Sequence, residues 1–207
     1  EPAAFVASLI NSQPMGFYAP DQLLQDAKRK GIRVLPVDVR YSDWDCTLER
    51  MDGNTDAVRL GLCCVQGFGQ AAAARIVAAR AQTPFANTDD LARRAALSTA
   101  DIKALAAADA LAQLAGHRRQ QVWDAAAWQP EASLLQDVPV QEVPLQLPAA
   151  PEGEEIVFDY AATGLSLRRH PLALLRPRLA SMRLLTAQEL QQLAHGRLGA
   201  ACGLVSV

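Results

Sequence analysis

Apolar and polar positions alternate with a helical period over most of this 207-residue chain and with a two-residue period only in short stretches. PAAFVASLIN has its apolar residues at helical spacing, which predicts a helix ending at Asn11. NSQPMGFYAP, with Pro14, Gly16 and Pro20, reads as a turn-rich connector. DQLLQDAKRKG predicts a second helix, with Asp21 near its start, basic residues in its last turn and Gly31 as its stop. IRVLPVDV reads as a strand, and DCTLERMDGNTDAVRLGLCCV as two strands around the turn Asp52-Gly53-Asn54, so this first part is α+β. From Gly67 onward the pattern is helical: 69–80, 87–95 capped by Asn87 or Thr88, 98–107 capped by Ser98 or Thr99, and 116–128.

The stretch QPEASLLQDVPVQEVPLQLPAAPEGEE is acidic, rich in proline and without apolar period, and it predicts an extended linker. GEEIVFDYAATGLSLRRHPLALLRPRL then predicts two helices broken at His170-Pro171, and TAQELQQLAHG a third ending at Gly196. RLGAACGLVSV alternates and reads as a first strand with no sheet behind it, so the chain is expected to stop inside a domain.

Composition narrows the class. Half the residues are apolar and only 5% aromatic, with alanine and leucine prominent, which fits a globular, mainly helical protein with short strands. No apolar run approaches the ~20 residues of a membrane span, and EPAAFVASLI lacks a basic signal-peptide start, so a cytoplasmic chain with no membrane partner is expected. The net charge of −2 conceals segmentation. Residues 1–55 carry six basic and eight acidic residues, 56–128 eight basic and six acidic, 129–159 seven acidic and no basic, and 160–207 six basic and one acidic. A strongly basic, histone-like binder is excluded, but a local polyanion-binding face is not. Cys46, Cys63, Cys64 and Cys202 form no CxxC and have no histidine placed to complete a zinc site, so reduced structural cysteines are expected. His117, His170 and His195 are far apart and read as surface or helix-end residues.

The candidate chemistry lies in VQGFGQAAAARIVAAR. A helix N-terminus leaves N–H groups unpaired and attracts anions, and glycines there remove side chains that would keep a phosphate away. Val65, Gly67, Phe68, Gly69, Ala73 and Ile76 stand in the order h-x-G-h-G-x-x-x-A-x-x-h, with Phe68 anchoring the loop and Gln70 opening the helix. This resembles the helix-hairpin-helix motif, which grips the phosphate backbone of duplex DNA without reading bases. Arg75 and Arg80 on the same helix are expected to add attraction. LSTADIKALAAADAL followed by GHRRQQVW reads as a second, glycine-poor hairpin with Arg118 and Arg119 at a helix start.

The blocks NSQPMGFY, LPVDV and SDWD, then LAAADALAQLAGHRRQQVWD, DYAATGLSLRRHPLALLRP and GRLGAACGLVSV, occur in the order found in the C-family bacterial DNA polymerases. The chain resembles the alpha subunits of polymerase III over essentially its whole length, and most of all their error-prone branch, which serves damage-induced mutagenesis. The resemblance implies a mainly α fold with a small α+β N-terminal part. Residues 1–55 would end the fingers, 56–128 would form a tandem helix-hairpin-helix domain, 129–152 an acidic linker, and 153–207 a helical connector with the first strand of a truncated OB fold. It implies duplex primer-template as partner, and a palm elsewhere whose aspartates hold two Mg²⁺ ions. Neither Asp43 and Asp45 nor Asp89 and Asp90 fits that role, so no catalytic or metal residue and no cofactor is expected here. In replicative relatives a clamp-binding peptide with a glutamine, a leucine and a terminal aromatic follows the hairpins. Glu131, Ser133, Leu134 and Leu135 occupy the corresponding place, with glutamate and leucine at the two ends instead. A sliding clamp would then be reached directly or through a mutasome partner protein. Two other readings stand beside this one: a DNA glycosylase using Asp89 or Asp90, and a non-catalytic interaction module.

Overall fold

The computed structural model describes residues 1–14, 16, 18–51, 56–128 and 145–204, which fall into two units, 1–167 and 168–207. The first unit opens with helices α1 (Pro2–Asn11) and α2 (Pro20–Arg29). Both have proline in the first turn, where a missing N–H costs nothing, and they bury Ala3, Val6, Ala7 and Ile10 of α1 and Leu24 and Ala27 of α2. Strands β1 (Val34–Leu35), β2 (Thr47–Arg50) and β3 (Asp56–Arg59) form a sheet in the order β1-β3-β2. β3 runs parallel to β1, with Val34 opposite Val58, and antiparallel to β2, with Leu48 opposite Val58. The predicted strand IRVLPVDV shrinks to two residues, and past Leu35 the Leu60 carbonyl accepts the Ser42 hydroxyl at 2.7 Å instead of a further ladder N–H. The predicted turn Asp52-Gly53-Asn54 lies outside the described residues. As the central strand, β3 carries the sheet across the expected border between residues 55 and 56.

A 3-10 turn (Leu62–Cys64) leads into α3 (Gln70–Gln82), followed by α4 (Thr88–Arg94), α5 (Thr99–Ala107), α6 (Ala112–Ala115) and α7 (Arg118–Ala127). Asn87 caps α4 and Ser98 caps α5, each side chain accepting the N–H three residues on. The predicted helix 116–128 starts only at Arg118, because Gly116 adopts φ +74° and His117 serves as the cap. Helix α8 (Glu152–Thr163) ends at Gly164 with φ +70°, so its break precedes the predicted one at His170-Pro171. One continuous core runs from Val6 and Ile10 through Val58, Leu62, Phe68 and Ile76 to Leu105, Leu111 and Leu165.

The second unit holds α9 (Pro171–Ser181) and α10 (Ala187–Gln191). His170 caps the first and Thr186 the second. The predicted helix to Gly196 is thus five residues long. Within RLGAACGLVSV the described residues make one isolated parallel bridge, Leu185 with Ala201, rather than the predicted strand.

Candidate nucleic-acid interface

Five residues, 65–69, join the 3-10 turn to α3. Val65 and Phe68 are 3% and 6% exposed and drive the loop into the core beside Ala72, Ala73 and Ile76, while Gln66, Gly67, Gly69, Gln70 and Ala71 face solvent. The Gln66 N–H donates to the Ala162 carbonyl of α8 at 2.9 Å and fixes the loop from behind. Gly67 adopts φ +74°, which a side chain would strain. Gly69, the residue before the helix, has φ −96°, open to any residue, and a Cβ there would meet nothing within 4 Å. Neither backbone conformation nor packing against the protein therefore requires glycine at 69. No side chain caps α3, and no acidic residue lies in its first turn. The Ala72 and Ala73 N–H groups turn back to the Gly69 carbonyl at 3.1 Å, which leaves the amides of Gln70 and Ala71 at the helix mouth without an intrahelical acceptor. Helices α4 and α5 differ, opening with a capping side chain and aspartates. The mouth of α3 is a bare, partly positive surface.

The arginines expected to supplement it make internal bonds. Arg75 donates through Nε to the Ala95 carbonyl at 2.7 Å and through its terminal nitrogen to Ala96 at 3.2 Å, at the end of α4. Arg80 donates to the Val39 and Ser42 carbonyls at 3.1 and 2.8 Å and pairs with Asp43 at 2.6 Å. Arg94, which the sequence reading passed over, returns the favour of Arg75. It donates to the Ala79 and Thr83 carbonyls at the end of α3, pairs with Asp90 at 3.1 Å and lies over the Phe85 ring at 5.0 Å. Asp90 accepts from the Ala86 N–H at 3.1 Å, and that bond, with Arg94 and Arg93, holds its carboxyl below the ordinary range.

At the second hairpin the structure closes the surface that the sequence left open. Arg118 is 4% exposed, ion-paired to Asp159 and, at 3.3 Å, to Glu155 of α8. Arg119 pairs with Glu154 at 2.8 Å. The buried Gln121 ties the two turns together, accepting from the Leu111 N–H at 3.2 Å and donating to Asp109 and the Gly116 carbonyl. Helix α2 bonds to α8 and to the segment after it: Tyr160 of α8 donates to Asp21 at 3.2 Å and Lys28 donates to the Ser166 carbonyl at 3.3 Å, and burial lowers the Lys28 pKa against the opposing pull of Asp21 and Asp159. Gly67, Phe68 and Gly69 thus share one loop, with Gln70 opening the helix after it, whereas Arg118 and Arg119 sit against α8. Glu131, Ser133, Leu134 and Leu135 lie outside the described residues.

Sequence reasoning treated the cysteines as separate structural residues, but the fold brings three of them together. The sulfurs of Cys46, Cys63 and Cys64 lie within 4.8 Å of one another. Hydrogen bonds from Cys46 and then Cys64 hold the Cys63 thiol below its ordinary range, and the same sharing pushes Cys46 and Cys64 up. The adjacent pair was visible in the sequence, but the partner eighteen residues away was not.

Residues 31–121 match the family described as the helix-hairpin-helix motif. The chain is 54% identical over 213 residues to a protein of Ralstonia nicotianae named error-prone DNA polymerase, covering all of this chain and 20% of that relative. It is 52% identical, with the same coverage, to proteins of that name from Aromatoleum aromaticum over 210 residues and Burkholderia pseudomallei over 212. The chain spans about a fifth of the length of these relatives. With the hairpin motif inside it and about half identity across all of it, the chain is similar along its whole length to a segment of these proteins named error-prone DNA polymerase.

Proposed function

We propose that this segment holds the primer-template duplex of an error-prone DNA polymerase by its phosphate backbone, at the mouth of α3. The observation that carries the reading is Gly69. The fold has no use for a glycine there, yet its absent side chain keeps the exposed amides of the first turn open to an oxyanion. Such a contact recognises phosphate and not base, so it tolerates any sequence while chemistry proceeds elsewhere. The whole protein would be a DNA-directed DNA polymerase of translesion synthesis and damage-induced mutagenesis, acting in the cytoplasm with two Mg²⁺ ions in a palm beyond this segment. A sliding clamp would be engaged through residues 131–135 or by way of a partner protein.

The glycosylase reading gains nothing at Asp90, whose carboxylate is taken up by the Ala86 N–H, Arg93 and Arg94, while Asp89, the other aspartate it could use, is exposed in the first turn of α4. The test is fluorescence anisotropy of two duplexes unrelated in sequence, titrated with this chain between about 50 and 200 mM salt. Equal affinities are expected, with log K falling linearly in log salt by about 0.9 per phosphate contacted. A marked preference for one duplex, or binding indifferent to salt, would overturn the reading.

A further inference from the structure

Nothing in the DNA-binding reading uses the cluster of Cys46, Cys63 and Cys64. The Cys46 and Cys64 sulfurs are 4.0 Å apart, and all three lie within 4.8 Å of one another. A metal bound to three thiolates at about 2.3 Å each separates them by about 4 Å, so the opening between these sulfurs has the size of one ion. Both segments that carry them are tied down. Asn11 accepts the Cys46 N–H at 2.7 Å and donates to the Cys46 carbonyl at 2.9 Å. The Cys63 N–H donates to the Trp44 carbonyl at 2.9 Å, and Leu62 to Asp43 at 2.8 Å. At Gly61 the two segments touch so closely that a Cβ would lie 2.3 Å from the Trp44 oxygen. The Gly61 N–H also donates to the Cys46 sulfur at 3.3 Å, an outer-shell bond suited to a thiolate.

We propose that Cys46, Cys63 and Cys64 form a three-thiolate site for a thiophilic d¹⁰ metal ion, Zn²⁺ completed by a water or three-coordinate Cu⁺. No fourth histidine, cysteine or carboxylate joins the cluster among the described residues, and soft thiolates select ions of this class. Cys46 is buried, while Cys63 and Cys64 are half-buried, which leaves a way in from solvent. Binding exchanges thiol protons for the metal and releases them to solvent, with no change of oxidation state. Because Cys64 directly precedes Val65, the ion would fasten the 3-10 turn to the segment before β2 and so steady the hairpin from below.

The test titrates the chain, kept reduced by a phosphine, with Zn²⁺ against a chromophoric chelator and, in a second arm, with Cu⁺ under anaerobic competition. One equivalent withheld in either arm is the expected result. Cys63→Ser should weaken it about tenfold or more, and Cys202→Ser, at an exposed residue of the other unit, should leave it intact. X-ray absorption of the loaded chain should show three sulfur neighbours. Cys46→Ser is the stricter variant, and if it fails to fold, Cys63→Ser decides, with circular dichroism confirming its fold. Failure of the wild type to withhold metal in both arms, or equal affinity of wild type and Cys63→Ser, would overturn the proposal. Neither result bears on duplex binding.

Discussion

Arg118 enters an almost closed site between α7 and α8, where its charge meets Glu155 and Asp159. Removing one member of a buried ion cluster leaves the others desolvated, so Arg118→Ala should cost about 3–5 kcal/mol in denaturant unfolding. Arg119→Ala, whose pair with Glu154 is open to water, should cost less than about 1 kcal/mol. Equal small losses would show that α8 does not bury the first pair. Asp90 makes a pH-dependent contribution. Its carboxyl is held below the ordinary value, so the stabilisation is complete above about pH 4 and is lost as pH falls through the lowered folded value. Asp90→Ala should therefore melt earlier than the wild type at pH 7, with the gap closing in acid. Gly61→Ala, whose added Cβ would strike the Trp44 carbonyl, should destabilise, whereas Gly69→Ala should fold as the wild type does.

Helices α3 and α4 finish each other: Arg75 of α3 meets the carbonyls at the end of α4, and Arg94 of α4 meets those at the end of α3. Cations at helix C-termini satisfy orphan carbonyls and oppose the dipole. Arg94→Ala should thus cost about 1.5–3 kcal/mol, with faster amide exchange in the last turn of α3 as the local readout. The elements with local grammar were legible in the sequence. Asn87 and Ser98 bond three residues ahead, and the stripe of Ala73 and Ile76 follows the helical period. The roles of Arg75, Arg80 and Arg118 were not, because their acceptors come from elements up to 41 residues away. The third cysteine was hidden for the same reason: only the close approach at Gly61 brings Cys46 to Cys64.

Charge segmentation takes a different meaning once the chain is folded. The acidic block 129–159 ends inside α8, and carboxylates of α8 neutralise Arg118 and Arg119 of the basic block before it. With Arg75, Arg80, Arg118 and Arg119 bonded inside the fold, the proposed phosphate contact rests on the backbone at the mouth of α3, a contact of few charges, so the chain alone should bind duplex weakly, in the micromolar range or above at physiological salt. With nucleotides and Mg²⁺ it should extend no primer, because on the proposed reading the aspartates of the reaction would stand outside this segment. The measurement that bears most directly on this picture is duplex anisotropy of Gly69→Glu beside Gly69→Ala and the wild type. A glutamate before the first turn suits the helix dipole and keeps α3 folded, yet it sets a carboxylate where the phosphate would lie. Gly69→Ala should bind within a few-fold of the wild type. Gly69→Glu should lose at least about tenfold in affinity and flatten the salt slope by about one. If Gly69→Glu, folded by circular dichroism, binds with the affinity and salt slope of the wild type, the mouth of α3 is not where this segment holds DNA.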